Sequence, residues 1–407
     1  MRVRILLLTL AALGSSRSAL ADGTNDPFAQ PADPLIAGQL GVQQSMTLGF
    51  AAAQIFNLSN HLQQLHQGLD PCAGLGKLGV VKSDAALPRD GLSSGYAPVA
   101  SATAANPAPV PVPGTSHVAP KQCLNERLFN SRDSALWYSG HLNYGSTTAA
   151  AAQGNSLTSP GLTVGLDHRL AERVIVGAAL GQGWSDTVLN STGSRTRVDS
   201  THGSLYANYR PMGPMSIDAL FGFGDASMDN RRWVDTDSAW VRGTRHGSTW
   251  YGSLALTAPI QGSVLRLEPY LRSDFVQSTL QPYSESGSTP SAMSYSSMYG
   301  SNSTLSAGAV GLHDFPVAGH VLTPLVGLKY QRLFNDASVT SVYCTDNGSA
   351  NPYALSLGST PQMVTTRQLG LRYRDSLGLQ GEIGANYPLG NAPNQTPVYT
   401  ASLHAAF

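Results

Sequence analysis

Charge is scarce in this sequence: acidic and basic side chains together make up 12% of it, 25 of each sign, for a formal net charge of zero. A chain so sparsely and evenly charged has no basic face to lay along phosphates, which excludes nucleic acid as a partner. Cysteine is nearly absent, with 3 in 407 residues, so a disulfide-dense scaffold is excluded as well. Long apolar runs are also missing. Hydrophobic residues reach 42%, yet beyond the N-terminal stretch they never gather into the ~20 consecutive positions that a spanning helix needs.

What is present begins with a leader. "MRVRILLLTLAALGSSRSALA" places Arg2 and Arg4 before an apolar core, Ile5 to Leu13, and ends on Ala19-Leu20-Ala21. A charged n-region, a short apolar h-region and a small-x-small site predict a secretory signal over 1–21, cleaved after Ala21. An exported chain with apolar content but no spanning helix is either a soluble β-rich protein or a β-barrel of an outer membrane. The barrel spreads its lipid-facing residues over every second position.

The segment 22–67 is polar at first and then carries a helical pattern from about Pro34 to Gln67. Leu40, Met46, Phe50, Ile55, Leu58, Leu62 and Leu65 recur there at three- and four-residue steps among Gln and Asn, almost without charge. Such a helix suits a hydrated, hydrogen-bonding cavity. Residues 68–130 differ in kind: "YAPVASATAANPAPVPVPGTSHVAP" reads as an extended, polyproline-like linker. Cys72 and Cys123 bracket it. In an oxidising periplasm they can pair or stay free, and Cys344 makes the count odd.

From 131 to 407 the pattern is alternation. In "LRLEPYLRSDF", Leu265, Leu267, Pro269, Leu271 and Phe275 share one face against Arg266, Glu268, Tyr270, Arg272 and Asp274. In "MSIDALFGFG", Ile217, Ala219, Phe221 and Phe223 alternate with Asp218, Leu220 and glycines. Roughly twelve such runs are expected, an even number as bacterial barrels require. Acidic and basic residues fall together on one face, where a narrow lumen lets them pair. Arg266, Glu268, Arg272, Asp274, Lys329, Arg372 and Glu382 are the expected lumen lining. Trp137, Tyr209, Trp250, Tyr330, Tyr373 and Tyr399 are the expected interfacial girdles. Short connections (170–173, 211–214, 374–378) alternate with long ones (187–196, 229–243, 283–302, 335–362), as tight periplasmic turns alternate with outer loops. The fold expected is all-β: a roughly twelve-stranded antiparallel transmembrane barrel with a short helix in its lumen.

The leader, the polar helix and this C-terminal block together resemble the translocator domain of monomeric autotransporters (type V secretion). "GLTVGLDHRLAERVIVGAALGQGWSD" and "STHGSLYANYR" look like that family's second to fourth strands. "PVYTASLHAAF" resembles the outer-membrane assembly signal, with Tyr399, Leu403 and the terminal Phe407 on one face. The resemblance implies an outer-membrane location in a Gram-negative bacterium and a monomer in contact with lipid. It also implies recognition by the barrel assembly machinery and periplasmic chaperones, and a helix, around Gln54 to Leu65, that joins the barrel to an exported segment. The Pro-rich insertion before the first strand and the near absence of a passenger depart from the family pattern. Asn57 and Asn60 are separated, so self-cleavage between paired asparagines is not expected. The linker either is exported or stays periplasmic; alternatively the barrel is an adhesin or narrow pore that works through its outer loops.

Enzyme chemistry finds little support. No His-Glu-x-x-His zinc site occurs, and no Gly-x-Ser-x-Gly nucleophile elbow stands between a strand and a helix; the bare match at Gly91–Gly95 falls in the extended linker. "GDAS" at Gly224–Ser227 sits at an expected strand end and reads as a loop rim. Asp225, Asp229 and His246 make at best a weak rim constellation, and His202, His246 and His404 are expected at the lumen or an interface as hydrogen-bonding partners. No catalytic residue, metal site or cofactor is expected.

Overall fold

A computed structural model describes residues 34–66, 134–144, 161–262, 264–317, 320–335, 338–344, 353–357, 362–375, 379–389 and 398–406. Twelve long strands form one barrel. The first six are β1 (Ser134–Tyr144), β2 (Gly161–Ala171), β3 (Val174–Val188), β4 (Arg195–Tyr209), β5 (Ser216–Val234) and β6 (Ala239–Thr257). The second six are β7 (Arg266–Leu280), β8 (Met298–Leu312), β9 (His320–Asn335), β10 (Gln362–Arg374), β11 (Gln380–Leu389) and β12 (Val398–Ala406). Each pairs antiparallel with its sequence neighbours, and β1 pairs with β12 in the register Trp137↔Ala406 to Tyr144↔Tyr399, which closes the sheet. Closure gives every strand two partners and satisfies the backbone groups that a bilayer cannot.

Period-two burial runs along the strands. In β5, Asp218, Leu220, Gly222 and Gly224 point inward while Ala219, Phe221 and Asp225 are exposed. The exposed set over the barrel's middle is apolar: Leu180, Leu205, Phe221, Leu254, Leu271, Leu305, Val326, Leu328, Leu369 and Ile383. Five of the six expected girdle residues are outward, Tyr209, Trp250, Tyr330, Tyr373 and Tyr399. Trp137 is a correction: it is fully buried in the lumen, because the inward parity of β1 is Ala135, Trp137, Ser139 and His141.

The connections at one end are tight (172–173, 210–215, 375–379), and those at the other include the long ones. The expected long loop 229–243 is another correction: β5 and β6 run on to a four-residue turn, Asp235–Ser238, and form a hairpin of two 19-residue strands. Cross-strand contacts such as Trp233 on Trp240, 5.1 Å between ring centroids, keep the ladder going. Within 283–302 and 335–362 lie four short strands, Tyr283–Ser284, Met293–Tyr295, Ser338–Cys344 and Tyr353–Leu357, which form a separate four-stranded sheet at the loop end.

Through the lumen runs α1 (Pro34–His66), 33 residues and so about 50 Å long. Proline opens it, where a missing N–H costs nothing. It carries no Asp, Glu, Lys or Arg, and its Ile36, Leu40, Met46, Phe50, Leu58 and Leu62 are all buried. Gln39, Gln43, Gln54, Asn57 and His61 are buried too. The helix is covered on nearly every side, and its polar residues find partners on the wall.

Candidate functional site

The site is the lumen where helix and wall meet. At the loop end Gln43 donates to Asn230 Oδ1 at 2.8 Å, and its own Oε1 accepts from Arg245 Nη1 at 2.9 Å. Arg245 also donates to the carbonyls of Gln281 (2.7 Å) and Ser296 (2.8 Å), which ties the outer connection 281–297 to the helix. Above it Tyr283 and Tyr295 stack at 4.5 Å. Burial pushes both hydroxyls above their ordinary range, which keeps them protonated donors. Gln44 of the helix reaches the Ser338 hydroxyl.

At mid-height, Gln54 accepts from Thr163 at 2.7 Å and Asn57 donates to the same hydroxyl at 2.8 Å. Phe50 fits against β3 only because position 183 is glycine; a Cβ there would fall on the ring.

The turn end holds a buried cluster. His61 Nε2 lies 2.8 Å from Asp167 Oδ2, and its Nδ1 lies 3.0 Å from His404 Nε2. Tyr206 donates to Asp167 Oδ1 at 2.5 Å and receives Trp137 Nε1–H at 2.6 Å. His61 stacks on Trp137 with centroids 4.0 Å apart. One turn on, His66 Nε2 sits 2.9 Å from Asp218, and Arg210, from the tight turn, donates to the Leu65 carbonyl.

The helix leans on β1–β7 and leaves a cavity of about 440 Å³ toward the rest of the wall. Glu268, Arg272, Asp274, Lys329, Arg372 and Glu382, six of the seven expected lumen residues, line it. Arg272 pairs with Asp274 at 2.6 Å and Arg372 with Glu382 at 2.8 Å. Glu268 accepts from Gln63 of the helix at 2.8 Å. The seventh, Arg266, is 2.9 Å from Glu268 and 3.9 Å from Asp314. Tyr399 and Leu403 are outward on β12. Phe407, Cys72 and Cys123 lie outside the described residues.

Other expected positions move. "GDAS" is inside β5, not at a strand end, and Asp225 is outward. His246, expected at the lumen or an interface, is outward and exposed on β6, whereas His202 and His404 are inward and buried. Among the described residues no group of three or more His, Cys, Asp or Glu could hold a metal.

Of the wall residues that latch the helix in place, Asp167, Tyr206, Asn230 and Arg245 escaped the sequence reading, and Trp137 was expected in a girdle. One signal was available: Gly165 and Gly177 stand on inward positions of strands next to those of Trp137 and Tyr206, leaving room for each ring.

The model of the autotransporter beta-domain matches residues 136–387. The chain belongs to that family. Solved structures similar to the barrel include the translocator domain of the autotransporter NalP from Neisseria meningitidis, at 16% identity and a TM-score of 0.48 over 69% of this chain and 89% of that one. The beta domain of the Bordetella autotransporter BrkA also matches at 16% and 0.48, over 67% of this chain and 99% of that one. No curated protein matches the sequence. This translocator barrel is thus a protein of the Gram-negative outer membrane, and domains of its kind are transport barrels.

Proposed function

We propose that this translocator barrel holds its helix across the outer membrane with the N-terminus outward, and displays the short segment that precedes Pro34. The direction of the helix carries this reading. Gln39 and Gln43 meet Tyr283, Asn230 and Arg245 at the loop end, whereas Leu65 and His66 meet Arg210 and Asp218 at the turn end. Ser134, which opens β1, starts at that same turn end, opposite His168 of β2. His66 and Ser134, the described residues on either side of the Ala/Pro-rich region 68–130, both lie at the turn end, which favours the segment before Pro34 as the exported part.

The barrel performs no chemistry of its own. Arg266, Glu268, Arg272, Asp274, Lys329, Arg372 and Glu382 keep the lumen polar around the helix. Tyr399 and Leu403 on the outward face of β12, with Phe407 following in the sequence, are the label read by the barrel assembly machinery and periplasmic chaperones, and the assembled barrel works as a monomer.

The test uses two epitope tags in the full chain, one at 90–115 and one just before Pro34, with protease applied to intact Gram-negative cells. The upstream tag is expected to be lost and the 90–115 tag to survive until the outer membrane is breached. Loss of the 90–115 tag from intact cells would overturn the reading.

A further inference from the structure

We propose that the outward face of the protruding β4–β5–β6 hairpins binds the phosphorylated sugar head of an outer-leaflet glycolipid. The lipid-facing part of these strands ends early. On β5 the outward residues are apolar up to Phe223 and then become Asp225, Ser227, Asp229 and Arg231; on β6 the change comes at Trp250. A tilted strand crosses the apolar layer in about 9–11 residues, so the upper part of each 19-residue strand stands clear of it.

Three arginines line up across that upper part. Arg195 of β4 is in register with Arg231 of β5, and Arg231 with Arg242 of β6. All three have outward parity. Like charges directly opposite one another repel, and nearby acids relieve little of that. Asp186 is shared by Arg195 (3.7 Å) and Arg197 (3.1 Å), and Asp229 accepts from Thr244. Among the described residues neither Arg231 nor Arg242 has a carboxylate partner, and Arg231 Nε is buried without one. The row needs an anion from outside the chain, and guanidinium forks suit phosphate oxygens.

The second half of the site is aromatic. The Arg231 guanidinium lies 3.7 Å from the Trp240 ring centroid, and Trp240 packs edge-on against Trp233. A half-buried indole pair beside a cationic row offers a sugar ring a flat apolar platform and its phosphate a charge partner. Position selects the source. The face is radial, turned toward the surrounding leaflet. Val188, the register partner of Arg195, stands four residues beyond the outward, exposed Trp184, about 10 Å higher on a tilted strand. Arg231 and Arg242 stand eight residues beyond Phe223 and Trp250, where the apolar face ends, about 20 Å higher, so the row lies above the acyl chains at the level of a sugar head.

The full chain in detergent is titrated with lipid A–core glycolipid, intact or phosphatase-treated, and bound glycolipid is read by native mass spectrometry. The intact form should bind with a steep salt dependence and the phosphatase-treated form should bind weakly. The R195Q/R231Q/R242Q variant should lose at least about tenfold in affinity, and the lysine triple variant should recover part of it, while both keep the heat-modifiable mobility of a folded barrel. Equal binding by the glutamine variant, or by the phosphatase-treated glycolipid, overturns the proposal. So does heparin binding that depends on the arginines while glycolipid binding does not, since that would assign the row to a sulfated glycan.

Discussion

His61 of the helix and Asp167 of β2 meet at 2.8 Å inside a fully buried chain of donors, and this pair fixes how the plug is held. As a carboxylate, Asp167 takes the Tyr206 hydroxyl on one oxygen and His61 Nε2–H on the other. The other ring nitrogen, His61 Nδ1, meets His404 Nε2 at 3.0 Å, so the two imidazoles share one hydrogen bond. Asp167→Ala would strand the Tyr206 hydroxyl and the imidazole together, at about 1–3 kcal/mol for each lost partner. Amide exchange over 58–66 should accelerate strongly while the wall keeps its protection. An exposed control, Asp186→Ala, should change nothing there. Unaltered exchange in Asp167→Ala would show that the helix is held by its apolar side alone.

Tyr206 reaches that network because β3 has no side chain in its path. A Cβ at Gly177 would overlap the hydroxyl edge of the Tyr206 ring. Gly177→Val should push the ring out, break its bonds to Trp137 and Asp167, and lower stability by about 1–3 kcal/mol. The double variant with Tyr206→Ala should lose less than the two single losses added, because both act on one contact. Strict additivity in heat-modifiability or denaturant midpoints would separate the two residues.

The barrel was legible in the sequence because its period is two: one apolar and one mixed face per strand specify both the sheet and its register. The charged lumen pairs were legible for the same reason, since Arg272–Asp274 lie two apart on one inward face. The latch was not. Trp137 reads as a girdle aromatic unless the parity of β1 is known, and parity depends on which neighbour of the tryptophan faces lipid. His61 and Asp167 are 106 residues apart, and no local pattern joins them. The outer sheet was hidden for a further reason: its strands are as short as two or three residues and find partners across two different connections.

That outer sheet is pinned by an ion pair. Glu285 accepts from Arg232 Nε at 3.0 Å and Nη2 at 2.6 Å, from the Tyr295 hydroxyl at 3.1 Å and from the Met293 N–H at 3.1 Å. Both charged side chains are almost wholly buried. Glu285→Ala takes the carboxylate from a buried guanidinium that keeps its bond to the Ser291 carbonyl, and should cost about 3–5 kcal/mol, spent locally. Exchange at 283–295 should rise by orders of magnitude while the strands below keep their protection. If protection at 283–295 is unchanged, the stack of Tyr283 on Tyr295 suffices to hold the sheet.

The hairpin tip should respond to acid in a defined direction. Asp237 accepts hydrogen bonds from Ser291 and then Thr289, and these donors hold its carboxyl below the ordinary value of 3.8. A folded-state value below the unfolded one means the contact contributes fully above pH 3.8 and fades as pH falls through the lower folded value. From pH 8 to 5 the tip should stay docked on the 281–297 connection, and only stronger acid should release it. Fluorescence of Trp233 and Trp240, which flank the turn, reports the release. Asp237→Asn removes the titrating group, so its signal should be flat where the wild type turns. A transition of the same midpoint in both proteins would move the acid response to another carboxylate.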